Sequence, residues 1–126
     1  MNTAEEAVSY VEEVDSPNIK ILLDTFHMNI EEDTFEDAIK TAGKYLGHVH
    51  IGENNRKPPG NGHIPWGEFG TALKDIDYQG GVVMEPFLIP GGQVGRDIKV
   101  WRDLSVGVDM DEEARKALLF MRDVLE

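Results

Sequence analysis

Three residues of metal-ligand type interrupt apolar runs in this chain: Asp24, His50 and Glu85. Asp24 lies near the C-terminal end of Ile19 to Phe26, His50 near that of Gly47 to Gly52, and Glu85 at that of Val82 to Glu85. One Asp, one His and one Glu make a mostly oxygen donor set. Such a set favours manganese (Mn²⁺), cobalt (Co²⁺) or magnesium (Mg²⁺) in an octahedral site over structural zinc. Their spacing forms no local metal motif, so the inference rests on equivalent placement at three strand ends. Taken singly, each has a plainer reading. Asp24 fits a turn or N-cap carboxylate, His50 a hydrogen-bonded core histidine, and Glu85 an exposed acid ahead of Pro86. The apolar neighbours Val82, Val83, Met84 and Phe87 weigh against the last. His48 and His50 face the same side of their strand. Burying both imidazoles is costly unless something pairs with them. His50 is nearer the strand's C-terminal end and is the expected ligand, with His48 structural. His27 and Arg56, just past the first two strands, offer donors that suit the hydroxyl and carbonyl oxygens of a substrate. Arg56 reads equally well as a surface ion pair with Glu53. His63 reads as a loop histidine, and Trp66 as core or pocket wall.

The elements that would position these residues alternate. Thr3 to Glu6 is a capping box that starts a helix, with Ala4, Ala7, Val8, Val11 and Val14 at helical spacing. Ile19 to Phe26 lacks a period of two, as expected for a strand covered on both faces. Thr34 caps a second helix with Asp37 at its N3 position and a stripe of Phe35, Ala38, Ile39, Ala42 and Leu46. After the strand Gly47 to Gly52, Lys57-Pro58-Pro59-Gly60-Asn61-Gly62 must be loop. Pro65 suits a helix's first turn, ahead of Trp66, Phe69, Leu73 and Ile76. Val82 to Glu85 is the third strand. Ile98 to Leu104 is expected to hold a short helix. A last helix runs from about Asp109 to the end, with Ala114, Ala117, Leu118, Met121 and Leu125 facing inward.

The order α-β-α-β-α-β-α means right-handed crossovers and a parallel sheet. In parallel α/β folds, ligands gather at the C-terminal ends of strands. Asp24, His50 and Glu85 step along the chain by about one βα unit of a TIM barrel, which spends roughly 250 residues on eight units. No linker divides residues 1–126, so one domain or part-domain is expected.

Composition narrows the function classes. The chain has 126 residues, 40% of them hydrophobic and 29% charged, as in an ordinary globular protein. Acidic residues outnumber basic ones 24 to 12, a net charge of -12, which argues against a nucleic-acid surface. There are no cysteines, which excludes disulfides and thiolate metal sites. No apolar stretch has the length of a membrane span, and the N-terminus has no signal-peptide pattern. The expected location is cytoplasmic.

Four stretches carry a resemblance. Leu23 to Asn29, Gly47 to Arg56, Gly62 to Trp66 and Met84 to Phe87 closely resemble, in the right order, the D-tagatose 3-epimerase and D-psicose (allulose) 3-epimerase family. These enzymes are xylose-isomerase-like TIM barrels. The resemblance runs from Asn2 to the C-terminus and covers the C-terminal part of the family's chain. It implies an incomplete (β/α)8 barrel holding strands six to eight. It implies that Asp24, His50 and Glu85 bind the metal, with Mn²⁺ or Co²⁺ usual. It also implies that Glu85 is one of two catalytic acid/base carboxylates, and that His27 and Arg56 contact a ketose sugar. The reaction would epimerise C3 of a free ketohexose or ketopentose through a metal-stabilised cis-enediolate.

One departure is serious. The family's other catalytic glutamate, also a metal ligand, belongs on strand five, upstream of Met1. A further substrate-contacting glutamate should follow it, also upstream. The expectation is a fragment, poorly active alone, that forms a homo-oligomer or pairs with a separate N-terminal half. Rival readings are another xylose-isomerase-like enzyme, such as an inosose dehydratase or hydroxypyruvate isomerase type, and a non-catalytic metal-binding or assembly fragment.

Overall fold

Three short parallel strands bring the three candidate residues to their C-terminal ends, and helices pack against one face of the sheet. The computed structural model describes residues 1–126. In chain order the elements are α1 (Ala4–Val14), β1 (Ile21–Asp24), α2 (Thr25–Glu31), α3 (Phe35–Ala42), β2 (Leu46–Ile51), α4 (Trp66–Asp75), β3 (Gly81–Met84), α5 (Gly92–Asp97) and α6 (Met110–Leu125). A 3-10 turn, Gly43–Tyr45, joins α3 to β2. The sheet order is β1-β2-β3, parallel throughout.

The helix starts follow from their caps. The Thr3 hydroxyl accepts from the Glu6 N–H, while the Glu6 carboxylate reaches back to the N–H of Asn2, one residue earlier than in the usual box. The Thr34 hydroxyl accepts from the Asp37 N–H at 3.0 Å. Asp109 caps α6 by accepting from Asp111 and Glu112. Each such cap stabilises its helix by about 1 kcal/mol.

The core fills the space between the helices and the face of the sheet formed by Ile21, Leu23, Val49 and Ile51. Ile39 of α3, Val49 of β2 and Phe69 of α4 are fully buried, each burial contributing roughly 1.5–3 kcal/mol. Between α3 and α4, Lys40 pairs with both Glu36 and Asp75, and these two carboxylates raise its pKa. On the other side α6 returns to α4, and Gly70 makes the approach possible. A Cβ there would run into the Val124 carbonyl oxygen and lie 2.9 Å from Val124 Cγ1.

Several expectations are corrected. The apolar run from Ile19 is not one strand. β1 ends at Asp24, whose carboxylate caps the unexpected helix α2. Nor is β1 covered on both faces, since Leu22 is 49% exposed on the side the helices do not reach. Leu46 opens β2 instead of closing α3. The helix near Ile98 to Leu104 lies earlier, at Gly92–Asp97, and Lys99 with φ 62° takes the backbone out of helical conformation. In α6, Ala117 and Met121 are buried, but Ala114 and Leu118 are exposed. Val14, at 40% exposed, also leaves the apolar stripe of α1.

One side chain ties the C-terminal ends of β1 and β2 together. The Thr25 hydroxyl, fully buried, donates to the Gly52 carbonyl at 2.7 Å and accepts from the Gly52 N–H at 2.9 Å. Thr25→Val keeps the shape but leaves both Gly52 groups unsatisfied. We expect a loss of about 1–3 kcal/mol, read as a lower urea midpoint with unchanged slope. Gly70→Ala should force α6 off α4 and cost about 1–3 kcal/mol in the same measurement.

Candidate metal centre

Parallel register brings the three sequence-predicted ligands together. Asp24 pairs with His50 across β1 and β2. Ile51 pairs with Met84 across β2 and β3, and the Glu85 N–H continues the ladder by donating to the Ile51 carbonyl at 2.9 Å. Side chains alternate between faces, so Asp24, His50 and Glu85 emerge on the face that also carries Leu22 and Val83. Helices leave that face open, with Leu22 and Val83 about half exposed. One donor atom from each of Asp24, His50 and Glu85 lies within 4.8 Å of the others. His50 Nδ1 is 3.4 Å from Glu85 Oε2. That spacing is near the ligand–ligand edge of an octahedral site whose metal–oxygen bonds are about 2.1 Å. The donor set of two carboxylates and one imidazole fits a divalent Mn²⁺-, Co²⁺- or Mg²⁺-type ion.

Asp24 holds two roles at once. Its Oδ1 accepts from the N–H groups of Phe26 (2.8 Å) and His27 (3.2 Å). That is the N-cap reading of this residue, and it fixes the carboxylate's direction at the strand end. His48 stands one step back on the same face. Its ring meets that of His50 edge-to-face, with centroids 5.1 Å apart. It is outside the three-residue cluster.

Arg56 is not the surface ion pair with Glu53 that the sequence also allowed. Its side chain is 6% exposed. The guanidinium carbon lies 3.3 Å from the Phe26 ring centroid and 5.4 Å from that of Phe87. These rings follow β1 and β3, so Arg56 is held between the exits of the two outer strands. Burial lowers its pKa, and the nearby Asp24 and Glu85 carboxylates oppose that shift. Arg56 Nε is buried without a hydrogen-bond partner. His27 is exposed on α2, edge-on to Phe26 at 5.4 Å. With Asp24, Leu22 and Val11 it lines an open, mostly apolar groove of about 420 Å³.

Sequence reasoning passed over two residues. Thr25, within an apolar run, gave only the signal of a hydroxyl beside a candidate ligand. Glu53 was read as a partner for Arg56. It is instead fully buried and accepts from the Gly60 N–H (2.7 Å), the Ile64 N–H (3.2 Å) and the Trp66 indole N–H (2.8 Å). Its visible signal was the glycine-rich loop that follows, which offers backbone donors without side chains in the way. Trp66 is buried, as expected for core, and His63 is an exposed loop residue.

Comparison with known proteins places this geometry. The D-psicose 3-epimerase of Agrobacterium fabrum is 61% identical over 128 residues, covering 99% of this chain and 44% of the relative. A crystal structure of D-psicose 3-epimerase in the presence of D-fructose superposes with a TM-score of 0.95 at 61% identity, over 99% of this chain and 44% of that one. A second, from Clostridium cellulolyticum H10 with D-tagatose, also gives 0.95 at 61% identity, over 100% of this chain and 45% of that one. The chain therefore spans less than half the length of these relatives. The open sheet face and the three parallel strands are those of an incomplete α/β barrel. The model of the xylose isomerase-like TIM barrel family matches residues 1–123, and the chain belongs to that family.

Proposed function

We propose that this chain supplies one side of the active site of a metal-dependent ketose 3-epimerase that acts on free ketohexoses such as D-fructose, D-psicose or D-tagatose. The observation that carries the reading is the convergence of Asp24, His50 and Glu85 at three adjacent strand ends, in a chain 61% identical to D-psicose 3-epimerases. A divalent cation, Mn²⁺ or Co²⁺, bound by these residues supplies Lewis-acid stabilisation to negative charge developing on the sugar.

The residues then divide the remaining work. Inverting C3 of a 2-ketose removes the C3 proton, which the adjacent C2 carbonyl acidifies, and returns one on the opposite face. Glu85, half-buried at the strand end, would exchange that proton on one face. Arg56 is a permanent cation beside Asp24 and Glu85 with a free buried Nε–H. Its guanidinium N–H groups are suited to bind the ketose oxygens. His27, exposed and lining the groove, adds a second donor toward the sugar. The carboxylate for the other face is implied by the resemblance to lie on the preceding barrel strand, outside these residues.

The sheet supports this part-barrel reading. β1 and β3 each have one unpaired edge, and the face bearing the cluster is uncovered. Such edges call for a partner. That partner is the upstream portion of a barrel or, less completely, a second copy.

The decisive assay is epimerisation of D-fructose and D-tagatose with Mn²⁺ or Co²⁺, run on the chain alone and on the chain plus the upstream portion of the Agrobacterium fabrum relative. Turnover is expected only in the mixture. It should vanish with a chelator and return with either metal. Turnover by the chain alone would contradict the assignment of the second carboxylate to a missing strand. In the assembled barrel, Glu85→Gln should lower kcat by about 10²–10⁴-fold. An unchanged kcat would remove Glu85 from the proton transfer.

A further inference from the structure

Glu53 is a buried carboxylate without a salt-bridge partner. It is 0% exposed, and its oxygens accept three hydrogen bonds from neutral donors: the Gly60 N–H, the Ile64 N–H and the Trp66 indole N–H. Burying a carboxylate is expensive unless its lone pairs are satisfied. A site that meets this cost with three convergent donors is organised around the charge. Space is arranged for it too. A Cβ on Gly62 would collide with Glu53 Oε2 and come within 2.5 Å of Asn54 Oδ1.

The same residue begins the turn that carries Arg56. The Glu53 N–H donates to the Lys57 carbonyl at 3.0 Å, and the Glu53 carbonyl accepts from the Arg56 N–H at 2.9 Å. Arg56 itself is left-handed, with φ 67°, a conformation unfavourable for a side-chain-bearing residue unless its surroundings impose it. Its carbonyl is held from the other side by the Phe87 N–H at 2.9 Å. The long loop from Lys57 to Pro65 is thus fastened to the turn by one carboxylate, and the turn sets the point from which the Arg56 side chain departs.

We infer that Glu53 is a positioning residue for sugar binding. Its carboxylate locks the loop against the turn and so holds Arg56 in the strained conformation that aims it at the substrate. The inference rests on the reading of Arg56 as a sugar contact. It assigns Glu53 no part in metal binding and none in proton transfer.

The test uses the chain joined to the upstream portion of the Agrobacterium fabrum relative, with D-fructose as substrate and Mn²⁺ as metal. Glu53→Gln keeps the size of the side chain but presents an amide NH2 to N–H donors. It should raise KM by about tenfold, the equivalent of one lost oriented hydrogen bond. The kcat and the Mn²⁺ affinity, followed by titration of the free-Mn²⁺ resonance signal, should each stay within about threefold. In the double variant with Arg56→Ala the Glu53 effect should disappear, because the two residues act as one unit. Multiplying effects in the double variant, or a parallel loss of Mn²⁺ affinity, would overturn the proposal and leave Glu53 as a general structural residue. Unchanged kinetics in Arg56→Ala alone would overturn it from beneath, by removing Arg56 from the sugar site. Should Glu53→Gln not fold, Trp66→Phe deletes one of the three donors. It should give a smaller KM rise that is likewise absent in the Arg56→Ala background. Additivity there would also overturn the proposal.

Discussion

Everything in the candidate site depends on the register of three parallel strands. Asp24 lies beside His50, and Glu85 follows one residue beyond the pair Ile51 and Met84. A slip of one residue between β1 and β2 would turn either Asp24 or His50 to the opposite face, into the helices. The hydrophobic pattern already opposes this, because either Ile21 and Leu23 or Val49 and Ile51 would lose their burial in the core. The Thr25 hydroxyl adds a second, directional constraint by bonding both backbone groups of Gly52. Packing selects the face, and hydrogen bonding fixes the ends.

The polar groups at these strand ends divide into two layers with opposite demands. The cluster layer is half-open. Asp24, His50 and Glu85 keep some access to solvent, as ligands that must exchange substrate require. The layer beneath is closed, with Glu53 and Arg56 both buried. Two opposite charges three residues apart would ordinarily pair. Here each finds a different environment: Glu53 among N–H donors, Arg56 between two aromatic rings. That separation leaves the guanidinium unpaired with Glu53 and close enough to Asp24 and Glu85 for their charges to act on it. A salt bridge between them would have satisfied both charges and weakened the hold of Arg56 on anything else.

Much of this was legible in the sequence, and the reasons for what was not are physical. The caps at Thr3 and Thr34 and the presence of three strands alternating with helices follow from local chemistry, and local chemistry is what a sequence displays. α2 was hidden because Thr25, Phe26 and Met28 continue an apolar run, while the signal that ends the strand is a side-chain cap made by a residue that also suits a metal. The displaced α5 has a similar cause. The apolar positions from Ile98 to Leu104 fit a helix, but Lys99 adopts a left-handed φ and Val100 is buried by the loop, its N–H bonded to the Gly95 carbonyl. The environment of Arg56 was invisible because its two aromatic neighbours come from the exits of other strands. Leu22 looked like a residue covered on both sides, yet no helix of this chain reaches its face. The alternation of strands and helices, and the resemblance at four separated motifs, carried the barrel assignment, and the family match along residues 1–123 agrees with it.

The register of the three strands brings Asp24, His50 and Glu85 together as a metal site in the reading proposed above. The most direct measurement is an anomalous X-ray difference map at the manganese edge, from crystals of a complete barrel that contains this chain and has been soaked in Mn²⁺. The account predicts one strong peak within bonding distance, about 2.0–2.3 Å, of one donor atom from each of the three residues. A peak elsewhere, or none in a barrel shown to be folded, would contradict it.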